Sequence, residues 1–169
     1  ELPHQFSCVS TDIGSRQRHV HRYGRTSDAV VASLALPVLF PPRRVEGRIL
    51  VDGGVLDNLP VTLLTDRGEG PVLAVNIALG GSADGERTRP AGSSPRPPRI
   101  PGLGETLLRT MMIGSGGATA VALDRGATVV TPPPMGVGLL EFHQLDRVVE
   151  SGRLAARALL EETGGVVPR

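Results

Sequence analysis

Residues 51–60 read V-D-G-G-V-L-D-N-L-P, and this stretch determines how the rest of the chain is interpreted. It continues the apolar run of Ile49 and Leu50, so Asp52 stands at the end of a predicted strand and directly before two glycines. Strands rich in Val, Ile and Leu that end in glycine bring side chains to the edge of an α/β sheet, where ligands usually bind. Glycine there allows positive φ and a close approach of the backbone to a ligand. The pattern therefore places Asp52 as a reactive acid rather than as a surface charge.

Segments on both sides of this stretch extend the pattern. Residues 32–42 read A-S-L-A-L-P-V-L-F-P-P and residues 46–54 read E-G-R-I-L-V-D-G-G. Farther along, residues 127–133 read A-T-V-V-T-P-P and residues 138–142 read G-L-L-E-F. In this order the segments resemble the patatin-like phospholipases, whose motifs include S-x-A-x-P-x-x-F-P-P and D-G-G or D-G-A. The resemblance covers nearly the whole chain and is closest to the bacterial branch related to neuropathy target esterase.

The resemblance implies an α/β protein with the three-layer α/β/α patatin-like fold, of which this chain is the C-terminal portion. Residues 1–79 would form the C-terminal part of the catalytic domain and carry the D-G-G motif. Residues 80–102 would form a flexible loop rich in Gly, Pro, Ser and Arg, and residues 103–169 a helix–strand–helix segment that packs on the same domain. The alternation of predicted strands and helices also indicates an α/β layer, with a mostly parallel core.

The resemblance also implies a chemistry for Asp52. In this family the aspartate accepts the proton of a nucleophilic serine, and this Ser–Asp dyad hydrolyses acyl esters of phospholipids or lysophospholipids. Because free Asp has a pKa of about 3.9, it acts as a base only in a partly desolvated pocket. Gly53 and Gly54 would shape the turn, and neither a metal nor an organic cofactor is implied.

Two alternatives for these residues stay open. Asp52 could instead cap the turn by accepting hydrogen bonds from neighbouring backbone amides. Asn58 could bond its own backbone, as Asn does in turns, or could orient Asp52. Asp57 is expected to be exposed.

The sequence departs from the family at the nucleophile. The family uses a G-x-S-x-G turn and an upstream glycine-rich oxyanion loop, but no serine here has glycine both two residues before and two residues after it. One interpretation is that the chain supplies Asp52 to a lipid acyl-ester hydrolase whose missing N-terminal half carries the serine. The alternative is a non-catalytic remnant or split half that acts as a binding or scaffold protein. In both cases this chain alone is expected to be inactive.

Composition limits the class of protein further. The net charge is +1, which gives no nucleic-acid signature. All 18 basic residues are arginine, and together with abundant Ala, Gly and Pro this indicates GC-rich bacterial coding. Aromatic residues make up only 2%, so the core is expected to consist of Val, Leu and Ala. No apolar run approaches the ~20 residues that span a bilayer, which favours a cytoplasmic or peripheral membrane location.

The N-terminal part contains the remaining candidate ligands. His19 and His21 share one face of a predicted strand, but no acid or cysteine completes a metal site. Four arginines surround them between residues 16 and 25, and this run would either contact anionic lipid headgroups at a membrane or form a solvated hairpin. Cys8, the single cysteine, excludes an internal disulfide and is typical of a core strand.

Local signals predict the order of the elements. A hairpin is predicted over residues 6–23, followed by a short helix to Leu34 that Thr26 or Ser27 would cap. Pro60 would begin a helix that runs to about Arg67. Further strands are predicted over residues 72–77 and 127–131, and helices over residues 103–123 and 144–162.

Overall fold

A computed structural model describes residues 2, 4–77, 100, 102–104, 106, 107, 110, 117–133, 137 and 141–165. Its strands are β1 (Cys8–Asp12), β2 (Gln17–His21), β3 (Arg43–Val45), β4 (Arg48–Asp52), β5 (Leu73–Val75) and β6 (Thr128–Val130). Its helices are α1 (Thr26–Ser33), α2 (Thr62–Thr65), α3 (Ala118–Asp124) and α4 (Leu145–Glu162), with 3-10 turns at Gly53–Val55 and Phe142–Gln144. The chain forms two compact units, Glu1–Pro60 with Pro101–Val121, and Val61–Ile100 with Ala122–Arg169.

The first unit contains a four-stranded sheet in the order β2-β1-β4-β3, and every described pairing in it is antiparallel. β1 and β2 form the predicted hairpin, which is confirmed. Asp12 stabilises the hairpin turn because its Oδ1 accepts a hydrogen bond from the Gly14 amide at 2.9 Å. Glu46 and Gly47, both at positive φ, form the second tight turn, which joins β3 to β4.

The register of the sheet determines which residues lie beside Asp52. Ser10 of β1 is paired with Asp52 of β4 and also with His19 of β2. Because directly opposite residues in an antiparallel pair lie on the same face, these three residues share one face of the sheet. The adjacent row, formed by Thr11, Val51 and Arg18, lies on the other face.

The core of the first unit is made of small aliphatic residues, as the composition predicts. Ala29 and Ala32 of α1 and the following Ala35 are buried, and Leu50 of β4 has no exposed surface. α1 is linked to the sheet directly, since Ser33 Oγ donates a hydrogen bond of 2.7 Å to the Val9 carbonyl. Alanine along a helix allows this close approach to a strand.

The second unit contains the parallel pair β5–β6, in which Leu73 is paired with Thr128 and Val75 with Val130. Its buried apolar residues are Val61, Val72, Ala74, Ala122 and Ala127. In α4 the buried Ser151 donates a hydrogen bond of 3.1 Å from its Oγ to the Pro133 carbonyl. This bond anchors α4, the longest of the described helices, to the segment that leaves β6.

Several sequence predictions are corrected. The predicted mostly parallel core is wrong for the described strands: only β5 and β6 are parallel, because β1–β2 and β3–β4 are joined by tight turns that enforce antiparallel pairing. The predicted cap at Thr26 or Ser27 is also wrong, since α1 is capped by Arg25 without a side-chain hydrogen bond. The helix after Pro60 is only the single turn Thr62–Thr65.

Other predictions fall on residues whose structure is not described. The loop at 80–102 lies almost entirely outside them, so the three-part organisation of the chain stays a prediction. The helix predicted over residues 103–123 is described only in part, with its end within α3. Among the helices that are described, none is both long and apolar enough to cross a bilayer.

Candidate active site

Asp52 is the last residue of β4 and the first residue of the turn that follows it. Its backbone is held from two sides. On one side it is paired with Ser10 of β1, and on the other its amide donates a hydrogen bond of 3.0 Å to the Ala35 carbonyl. The position of the side chain is therefore fixed by a strand and by the segment that leaves α1.

The Asp52 carboxylate is partly buried and makes one short contact. Its Oδ1 accepts a hydrogen bond of 2.6 Å from the Gly54 amide, which caps the 3-10 turn Gly53–Val55. Burial raises the pKa of Asp52 above its ordinary value, because water no longer solvates the charged form, and the Gly54 hydrogen bond opposes this rise. The capping contact that the sequence left as an alternative is thus present. The catalytic role of Asp52 stays a prediction.

Gly53 and Gly54 are required because a side chain would clash with neighbouring atoms. Backbone conformation is not the reason, since neither glycine has a φ in the left-handed region. A Cβ on Gly53 would lie 2.2 Å from the Val9 carbonyl oxygen, which is an impossible contact with backbone. A Cβ on Gly54 would lie 2.9 Å from Asp52 Oδ1 and 3.1 Å from Asn58 Oδ1. Gly53 therefore lets the turn pack directly on β1, and Gly54 leaves room for two polar side chains.

The residues at the end of the motif occupy different environments. Asn58 is exposed, and its Oδ1 faces the same space above Gly54 as Asp52 Oδ1. Whether Asn58 orients Asp52 stays a prediction. Asp57, which was expected to be exposed, is only partly so, because its Oδ2 accepts a hydrogen bond of 2.5 Å from Arg18 Nη1. The partner lies 39 residues away, so no local pattern indicates it.

A buried polar pair lies beside this site and was missed in the sequence. Ser10 Oγ and His21 Nε2 are 2.9 Å apart, and both residues are buried. Burial, and then the nearby His19, lower the pKa of His21, so the ring is favoured in its neutral form. Since Ser10 has no exposed surface, its hydroxyl is closed to substrate. The pair is a structural hydrogen bond between β1 and β2.

The remaining candidates can also be placed. The rings of His19 and His21 contact each other edge to face, with centroids 4.6 Å apart. In the described part of the chain no group of three or more His, Cys, Asp or Glu residues could hold a metal ion. Cys8 begins β1, and burial raises the pKa of its thiol. Contact of the arginine-rich hairpin with lipid stays a prediction.

Comparison with known proteins defines the class. Residues 2–65 match the family model described as "Patatin-like phospholipase". This segment contains the four-stranded sheet, the Asp52 turn and Asn58. Residues 2–65 therefore match the patatin-like phospholipase family, and the chain has an α/β fold as the resemblance predicted.

The individual relatives indicate which branch of the family the chain resembles. Uncharacterised NTE family proteins of Mycobacterium bovis and Mycobacterium tuberculosis are each 34% identical over 171 residues. The aligned region is 95% of this chain but only 29% of each mycobacterial protein. Lysophospholipase NTE1 of Saccharomyces cerevisiae is 29% identical over 94% of the chain, which is 10% of the yeast protein. The chain thus spans less than a third of the length of each of these three relatives.

Proposed function

We propose that the chain is part of a hydrolase of lipid acyl esters in which Asp52 is the general base. The observation that carries this proposal is the state of its carboxylate, which is partly buried and has a raised pKa at the end of β4. Oδ1 is bonded to the Gly54 amide, whereas Oδ2 has no hydrogen-bond partner among the described residues. Oδ2 is therefore the oxygen that would receive a proton.

The reaction that this arrangement supports has two steps. As a serine hydroxyl attacks the ester carbonyl carbon, its proton moves to Asp52, the ester bond breaks and the alcohol leaves with that proton. Water then attacks the acyl-serine, Asp52 accepts a proton from the water, and the fatty acid is released while the serine regains its proton. General-base assistance of this kind contributes about 10²- to 10⁴-fold to the rate.

The nucleophile and the oxyanion donors are proposed to come from residues outside this chain. No serine of the chain stands in a G-x-S-x-G pattern, and Ser10, the serine paired with Asp52 in the sheet, is fully buried. The chain matches only 29% of the mycobacterial relatives, so those proteins have ample sequence to supply both parts. The complete site would then be formed by two portions of one longer protein.

The substrate class is proposed from the relatives. Fungal proteins named lysophospholipases are similar over most of this chain. A lysophospholipid carries one acyl ester, and hydrolysis of that ester releases one fatty acid. A long-chain lysophospholipid is therefore the substrate to test first.

The second candidate is a binding or scaffold protein without catalysis. It is favoured by the missing G-x-S-x-G motif alone. A pseudoenzyme would keep the Asp52 turn as a capped structural turn, which the Gly54 contact permits. Failure of the longer protein to react with a serine-directed probe would favour this candidate.

Fluorophosphonate labelling with intact-mass detection tests the proposal. The longer protein that includes upstream sequence should be labelled, while the 169-residue chain should not. Asp52→Asn in the longer protein should then lower turnover of a lysophospholipid by about 10²- to 10⁴-fold. Labelling of the short chain would refute the placement of the nucleophile outside it. Full turnover by Asp52→Asn would refute the role of Asp52.

A further inference from the structure

The turn that begins at Asp52 is closed by its own backbone. The amides of Leu56 and Asp57 both donate to the Gly53 carbonyl, at 3.1 and 2.9 Å. Together with the Gly54 contact to Asp52 Oδ1, these bonds make residues 52–57 one continuous turn. A force that holds Asp57 therefore also holds the segment that positions the Asp52 carboxylate.

Asp57 is held by a residue from a distant strand. Its Oδ2 lies 2.5 Å from Nη1 of Arg18, which belongs to β2. In the sheet order β2-β1-β4-β3, β2 is separated from β4 by β1. Arg18 is paired with Thr11, and Thr11 is paired with Val51, the residue before Asp52. The ion pair thus connects β2, which lies on one side of β1, to the turn that follows β4, which lies on the other side of β1.

The position of the turn on the sheet makes this bridge effective. Gly53 packs on β1 so closely that a Cβ would meet the Val9 carbonyl oxygen at 2.2 Å. Val9 and Thr11 lie two residues apart in β1, so their side chains are on the same face of the sheet as that of Arg18. The start of the turn is therefore pressed against β1, and its end is tied to β2 on that face.

The ion pair lies at the surface and its side chains are partly shielded from water. The side chains of Arg18 and Asp57 are 34% and 22% exposed, so the pair is less screened by water than a fully exposed surface pair. The planar guanidinium of arginine also loses less side-chain entropy per hydrogen bond than the ammonium group of lysine would. The contact is thus suited to fixing a geometry rather than only adding charge to the surface.

We infer that Arg18 is a positioning residue for Asp52: through Asp57 it holds the turn of residues 52–57 against the sheet. This inference rests on the proposed function for its catalytic meaning, but the mechanical coupling stands on the geometry alone. Arg18 acts through Asp57 and does not touch substrate.

Hydrogen–deuterium exchange of the protein, read by mass spectrometry on peptides that cover residues 50–60, tests the coupling without any need for catalysis. Arg18→Gln and Asp57→Asn should each speed exchange in this segment by about two- to fivefold, because the turn opens more often when the ion pair is lost. Arg22→Gln removes the same charge from the residue just after β2 and should leave exchange unchanged. The charge-reversed double variant Arg18→Asp with Asp57→Arg should recover part of the protection.

Turnover separates this inference from the proposed function. If the protein hydrolyses lysophospholipid, Arg18→Gln should lower kcat by more than it raises KM, and Arg18→Lys should recover part of the loss. Unchanged exchange in Arg18→Gln, with a melting temperature equal to that of the unaltered protein, would overturn the inference. Faster exchange in Arg18→Gln, together with a longer protein that includes upstream sequence and yet hydrolyses no ester, would uphold the positioning of the turn and reject the proposed function instead.

Discussion

At the scale of single residues, two opposing effects set the pKa of Asp52: loss of hydration and one hydrogen bond from a backbone amide. Burial raises the pKa of the carboxyl, and the Gly54 amide at 2.6 Å lowers it again. A carboxylate that accepts two or three amide hydrogen bonds can have a pKa far below its ordinary value and is then a weaker base. Asp52 accepts one such bond from the described residues, and the effect of burial on its pKa is larger than the effect of this bond.

The raised pKa of Asp52 should be visible in activity as a function of pH. Since only the ionised carboxylate accepts a proton, kcat/KM should fall on the acid side around the folded-state pKa, above the ordinary value of 3.8. A pH–rate profile of the longer protein with a neutral-headgroup ester measures this. An acid limb at or below 3.8 would contradict the partly desolvated state.

The raised pKa of Asp52 should make activity rise with pH but should make the stability of the folded protein fall with pH. A raised folded-state pKa means that the native protein binds the proton more tightly than the unfolded chain does, so stability is lost as the pH rises from 3.8 through the folded pKa. Asp52→Asn should therefore match the unaltered protein in acid and be more stable than it near neutral pH. Urea unfolding of both proteins from pH 4 to pH 7 measures the difference. Equal stability at neutral pH would argue against the shift.

Gly53 and Gly54 should respond differently to the same substitution. Gly53→Ala forces a Cβ onto the Val9 carbonyl and should destabilise the protein by about 1–3 kcal/mol, because backbone must move. Gly54→Ala meets only the ends of Asp52 and Asn58, which can shift by a few tenths of an ångström. It also reproduces the D-G-A form of the motif, so it should fold normally. Chemical unfolding compares the two, and equal losses would refute the steric distinction.

At the scale of elements, β1 is the strand on which the site depends. Its residues alternate between a face with Ser10, which is bonded to His21, and a face with Thr11, whose Oγ1 is buried without a hydrogen-bond partner among the described residues. The Ser10 hydroxyl therefore stabilises the sheet, whereas burial of the Thr11 hydroxyl lowers the stability of the protein. The turn that carries Asp52 packs on this strand, so changes in β1 reach the site.

Two substitutions in β1 should change stability in opposite directions. Thr11→Val removes an unpaired buried hydroxyl and should stabilise the protein by about 1 kcal/mol. Ser10→Ala removes the partner of His21, which stays buried, and should destabilise it by about 1–3 kcal/mol. Paired urea titrations of these variants provide the measurement. A loss of stability in Thr11→Val would show that the hydroxyl has an unseen partner.

The elements also show what the sequence could predict. The β1–β2 hairpin, β4 and the start of the Asp52 turn follow from local signals: alternation, an apolar run and paired glycines. The pairing of β4 with β1 and the contact of Arg18 with Asp57 do not follow from local signals, because they join residues 38 or more positions apart. Asp52 was identified from its place at the end of an apolar strand, whereas the residues that hold it required the register of the sheet.

At the scale of the whole molecule, Asp12 should make the protein less stable in acid. Hydrogen bonds from the Ser15 side chain and from Arg48 lower the pKa of Asp12 to about 2. The associated stability is present above the unfolded value of 3.8 and is lost as the pH falls toward 2. Asp12→Asn should therefore be less stable at neutral pH and should show a flatter dependence between pH 4 and pH 2, as followed by circular dichroism. Parallel curves for the two proteins would contradict this role.

The antiparallel register also bears on how this protein could have diverged from its relatives. Successive residues of a strand lie on opposite faces, so one inserted residue in β4 would transfer Asp52 from the Ser10 face to the Thr11 face. The strand therefore tolerates replacement of side chains far better than a change of length. Gains and losses of residues should accumulate at the hairpin tips near Gly14 and Gly47, where an alignment of lineages would be expected to place its gaps.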